Sequence, residues 1–149
     1  MSLQDDIMAA MKTAMKAKDQ TGLTALRAVK SAILLAQTES GASDSLTQEQ
    51  ELKILQKQVK QRKDSAAIFL EQGREDLATP ELAEAEVIGQ FLPEAMNGED
   101  IEKIVIKTIE NLGASGMKDM GKVMGVVSKE LAGKADGKTI STIVKQKLI

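Results

Sequence analysis

Apolar residues recur every three or four positions along almost the whole chain, and alternation with period two persists nowhere over a useful length. That spacing predicts an all-α fold. Leu3, Ile7, Met11 and Met15 make the first stripe, opened by Ser2 and Asp5 at the spacing of a capping box. Leu23, Leu26, Ile33 and Leu34 make the second. The run GASDSL, residues 41–46, reads as a polar loop, and Thr47 with Gln50 offers a second capping box. A long helix follows, carrying Leu52, Leu55, Val59, Ala66 and Phe69, with Gly73 as its stop. Thr79-Pro80 has the form of a helix start, a cap residue with proline at the first helical position, and that helix reaches Phe91-Leu92 before Pro93.

The segment PEAMNGED marks a joint near residue 97. Beyond it the pattern predicts three shorter helices. These are Ile101 to Leu112 closed by Gly113, Met117 to Leu131 closed by Gly133, and Ile140 to Leu148 opened by Asp136. The expected organisation is a larger amino-terminal helical domain over 1–96 and a three-helix tail domain over 97–149. Charge follows the same division. The net charge is −2, yet residues 1–96 carry 11 bases against 15 acids, while 113–149 carry seven lysines against three acids. The tail is therefore the region whose field attracts a polyanion.

Histidine, cysteine, tryptophan and tyrosine are absent. That excludes disulfides, zinc fingers, thiolate nucleophiles and histidine acid–base catalysis. The first sixteen residues place acids early and hold no uninterrupted apolar run, so neither a secretory leader nor a membrane span is expected, and the expected location is the cytoplasm.

Few residues then remain to carry chemistry. GMKDMGKV, residues 116–123, nearly matches a phosphate-binding P-loop, but Val123 stands where a hydroxyl must reach magnesium, and a helical pattern precedes it in place of a strand. The close carboxylates Glu84 and Glu86, like Glu75 and Asp76, point in different directions two or fewer residues apart on a helix, so no metal site is expected. Neither a catalytic set nor a cofactor site emerges. Arg62 falls on the apolar side of its helix, between Leu55, Val59, Ala66 and Phe69, and a cation there needs a partner. It is either one half of a structural ion pair, with Glu75, Asp76, Glu84 or Glu86, or a guanidinium held for a phosphate or a partner's carboxylate. In the tail, Lys118, Lys122 and Lys129 lie within about 40° of one another opposite Met120, Met124, Val127 and Leu131. Lys138 and Lys145 do the same on the last helix, with Lys134 in the turn between. If those helices pack as a hairpin, the six lysines form one basic surface suited to backbone phosphates; the competing reading is an ordinary solvated face. With Phe69 and Phe91 the only aromatics, a bound nucleic acid is held by backbone and shape, which favours a folded RNA over a single strand and leaves DNA unexpected.

LRAVKSAI, KQVKQRKDSAAIF, GREDLA, EAEVIGQFLPE, ASGMKDMGKVMG and GKADGKTISTIVKQKL, in this order from about Leu3 to Leu148, closely resemble the stand-alone proteins of the GatB/YqeY family. Phe91 stands where relatives often have tyrosine, Ala66-Ala67 where bulkier or polar residues are common, and Asn97 where they have a serine or threonine cap. The resemblance implies a two-part helical fold. It also implies kinship with the carboxyl-terminal region of the B subunit of the tRNA-dependent amidotransferase, whose tail contacts the tRNA body. Three functions are then open. The chain is a non-catalytic tRNA-associated module gripping tRNA through the tail lysines, or a protein–protein adaptor for amidotransferase or aminoacyl-tRNA synthetase components. The third is a carbon–nitrogen ligase with glutamine as amide donor, the chemistry of the parent enzyme, whose catalytic domain this chain is too short to contain.

Overall fold

The computed structural model describes residues 2–39 and 46–149, so Gly41 to Ser45 of the expected polar loop lie outside the described residues. The protein is all-α, and its contacts form two units, one ending at Leu92 and one running Pro93–Ile149.

In the first unit, α1 (Leu3–Lys16) opens on the expected capping box: the Asp5 amide donates to Ser2 Oγ at 3.2 Å and the Ser2 amide to Asp5 Oδ2 at 3.2 Å. Ile7 and Ala14 are buried, with Leu3, Ala10 and Met11 packed beside them. Met15 is not on this face, being 55% exposed. Each i+4 step turns about 40° past a full circle, so a stripe built only from such steps leaves the core after three of them, and Ala14 takes the place. Lys18, at φ 57°, turns the chain, and Asp19 then accepts the Gly22 amide at 3.0 Å to start α2 (Gln20–Glu39). A Cβ at Gly22 would overlap the Asp19 carboxylate, so a larger residue there would displace this cap. Leu23, Leu26, Val29 and Ile33 face the core; Leu34, about 100° further round than Ile33, is half exposed.

The second hairpin is longer. α3 (Gln48–Glu71) starts at the Thr47/Gln50 capping box and ends where Gly73, at φ +72°, lets the Arg74 amide reach back to Phe69 O at 2.8 Å. α4 (Glu75–Gly89) starts at once, so Pro80 lies inside it and does not open it. The earlier start follows from the turn: the Leu77 and Ala78 amides both bond Arg74 O at 3.1 Å, and Arg74 forks onto Asp76 at 3.0 and 2.9 Å. Pro80 then leaves the Asp76 carbonyl in the first turn without its helical partner, at an exposed position. Leu55 and Ile88 join the hairpins into one core, while Ala66, Ala78 and Ala85 let α3 and α4 approach closely further along.

Ser2 bonding holds the Asp5 carboxyl below the ordinary aspartate range, and Arg74 does the same for Asp76. A depressed folded-state pKa stabilises above the unfolded value, at about pH 4, and is lost as pH falls through the folded value. The melting temperature is therefore expected to hold from pH 7 to 5 and decline below about pH 4. In thermal melts across that range the Asp5→Ala/Asp76→Ala double variant should decline less steeply.

The second unit is a three-helix bundle. α5 (Gly98–Leu112) is capped by Asn97, whose Oδ1 accepts the Asp100 amide at 2.9 Å, and closed by Gly113 at φ 62°. A 3-10 turn (Met117–Asp119) leads into α6 (Met120–Glu130), and α7 (Gly137–Leu148) starts where Asp136 accepts the Thr139 amide at 2.9 Å. All three helices pack against one another around Ile101, Val105, Val123, Val127, Leu131, Ile140, Val144 and Leu148. Met96 belongs to this unit, its amide donating to Lys134 O at 2.9 Å and its side chain packing on the core.

Candidate nucleic-acid interface

The stretch with the P-loop spacing is helix-start punctuation. Gly116, at φ 72°, precedes the 3-10 turn, and Asp119 Oδ2 accepts the Ser115 amide at 2.9 Å. Carboxylates thus stand at the entrances of both α6 and α7, and an anion approaching the tail meets lysine side chains before it meets helix amides.

All six lysines are exposed. Their placement follows from two fixed points. Lys147 Nζ pairs with Glu102 on α5 at 2.6 Å, which sets the flank of α7 that meets α5. Lys145, two residues back and so about 160° round the helix, turns away from α5, with Lys138 beside it. On α6, Val126 and Glu130 line a cleft of about 300 Å³ shared with Ile104, Lys107, Thr108 and Asn111 of α5. Lys122 and Lys129 are the i−4 and i+3 neighbours of Val126 and adjoin it on the side away from Glu130, just outside the cleft's lining. Lys118 lies in the 3-10 turn, outside the 100° register, and Lys134 in the loop before α7. The cations therefore form two rows, one beside the α5–α6 cleft and one on α7 away from α5.

The structure adds residues that spacing alone did not single out. Lys103, Lys107 and Asn111 follow one another at i+4 along α5, all exposed, and Lys107 and Asn111 enter the cleft. Their signal was present as a polar row opposite Ile101 and Val105, but which neighbour that row faces depends on helix packing.

Among the described residues, ion pairs engage a minority of the cations in each unit. In the first, Lys53 pairs with Glu49 at 3.1 Å, Lys60 with Asp64 at 2.7 Å, Arg74 with Asp76 at 2.9 Å and Arg62 with Glu84 at 3.4 Å. Arg62 Nη1 also donates to Gln58 O at 3.1 Å and to Gln58 Oε1 at 2.7 Å, so this guanidinium is engaged within the α3–α4 hairpin. In the tail only Lys147 is paired among the described residues. Glu84 is thus committed to Arg62 and Asp76 to Arg74, and among the described residues no group of three acids is close enough to hold a metal ion.

Comparison with known proteins gives three findings. A family model described as Yqey-like protein matches residues 4–148. Two relatives carry the name "Altered inheritance of mitochondria protein 41, mitochondrial". The one from Clavispora lusitaniae is 34% identical over 82% of this chain and 72% of its own length. The one from Pyrenophora tritici-repentis is 28% identical over 94% and 77%. A glutamyl-tRNA(Gln) amidotransferase component from Thermococcus gammatolerans is 37% identical over 73 residues, 46% of this chain but 12% of that protein. The mitochondrial relatives overturn the expectation of a cytoplasmic location. No described helix is long and apolar enough to cross a membrane, but low hydropathy distinguishes water from bilayer and not one aqueous compartment from another.

Proposed function

The chain belongs to the YqeY-like family, and from that membership we propose that it is a non-catalytic RNA-associated helical module whose tail grips the body of a tRNA through exposed lysines. One observation carries this reading. Lys118, Lys122, Lys129, Lys134, Lys138 and Lys145 form no ion pair among the described residues, and they stand in a stretch, 113–149, where seven lysines face only three acids. Unpaired lysines release condensed counterions when they meet phosphates, and that release drives association. The partial likeness to a protein named for glutamyl-tRNA supports tRNA as the RNA.

Binding of bulk tRNA across a salt series tests it. Contact with about four phosphates gives a slope of log affinity on log salt of roughly −3 to −4. The Lys122→Glu/Lys138→Glu/Lys145→Glu variant should keep its helicity, flatten that slope and bind at least about a hundredfold more weakly at low salt. Equal affinity of variant and wild type would remove this surface from consideration. Failure of the wild type to bind any RNA would turn attention to a protein-adaptor role.

A further inference from the structure

Val126 and Leu112 stand out on the tail. They are 42% and 45% exposed and line the α5–α6 cleft, where apolar walls meet water with no protein group covering them. At about 300 Å³ the cleft is at the small end of ligand sites. Its polar groups are specific in kind. The Asn111 side chain makes no hydrogen bond among the described residues, so its amide offers two donors and an acceptor. Glu130, at the cleft's α6 wall, offers acceptors only, and Thr108 Oγ1 is already bonded to Ile104 O at 2.8 Å. Outside stand cations on both helices: Lys107 on α5, and Lys122 and Lys129 either side of Val126 on α6.

We infer that this cleft seats one unstacked base of the bound RNA, a step that rests on the RNA reading above and gives it a point of selectivity. Aliphatic walls take the face of the base, and Asn111 takes its hydrogen-bonding edge. Glu130 accepts from an exocyclic amine or a 2′-hydroxyl, while Lys107, Lys122 and Lys129 hold the phosphates on either side. Charge decides between this occupant and the apolar face of a partner helix. Lys107 lines the cleft together with Glu130, and Lys122 and Lys129 adjoin Val126 on the side away from Glu130, so cations outnumber the carboxylate along that edge, which suits a ligand carrying phosphates there. The chain has no aromatic in the tail, so selectivity for an unpaired base arises from this cleft and not from a stacking platform.

The test uses the full chain and the Asn111→Ala/Val126→Ser variant, both exposed positions, with helicity checked by circular dichroism. Affinity for bulk tRNA and for a fully paired RNA duplex is measured at one salt concentration, and the salt slope is measured for tRNA. The seat predicts about a tenfold or greater loss for tRNA, little change for the duplex and an unaltered slope. Wild-type affinity of the variant for tRNA, or equal losses on both RNAs, overturns the seat and leaves the lysine surface standing. Absence of RNA binding by the wild type overturns both. Retained tRNA affinity with loss of a nuclease-resistant protein complex would assign the cleft to a protein helix and overturn the seat.

Discussion

Leu131→Ala is expected to cost the tail unit about 3 kcal/mol. Leu131 is fully buried, and the backbone at this residue holds the turn out of α6: its amide donates to Val127 O at 2.9 Å and its carbonyl accepts from Lys134 at 2.9 Å. Truncation removes the transfer free energy of three carbons and leaves a void in a core of seven other buried apolar side chains. A unit of this size has roughly 3–9 kcal/mol to lose. The variant should therefore unfold locally within the tail, losing amide protection in α5, α6 and α7 at room temperature. Hydrogen exchange reads this residue by residue. Loss of less than about 1 kcal/mol would mean that the bundle does not rest on this packing.

The second large effect belongs to Arg62. Its side chain is 13% exposed and that of Glu84 15%, so removing the guanidinium strands a carboxylate between two packed helices. Arg62→Ala should lower stability by about 2–3 kcal/mol. The two halves are not equivalent. The contact to Glu84 is long at 3.4 Å, while Gln58 supplies two shorter acceptors, so Glu84→Ala leaves the arginine partly satisfied and should cost about half as much. Arg62→Met/Glu84→Leu, which replaces both charges with apolar groups of similar size, should recover most of the loss. Denaturant melts of the three variants measure the asymmetry. Equal costs for the two single variants would show that the pair itself, and not Gln58, anchors the arginine.

Periodicity and punctuation alone specified that the chain is helical, that Ser2/Asp5 and Thr47/Gln50 open helices, that Gly73 and Gly113 close them and that Asp136 starts the last one. These are interactions within five residues, and their partners are set by the backbone before any packing occurs. The same local rules placed Arg62 on the apolar face and required it to find a partner, without selecting one among four carboxylates. The choice of Glu84, with Gln58 as the closer companion, depends on the register of α3 against α4. Register also explains why Pro80 lies within α4: a turn only a few residues long after Gly73 leaves no chain to spare for a later start.

The lysines show the same division. Their exposure and excess are legible in residue order, since an amphipathic helix must turn its charged side outward. Which helix that side leans toward is not, because rotation about the helix axis is set by the apolar contacts of the whole bundle and not by spacing within one helix. Packing in the tail put Val126 and Glu130 beside Lys107 and Asn111, residues 15 and more positions away, and turned Lys145 to another side. Sequence order decided which residues carry charge; the packing of three helices decided which of them share a surface.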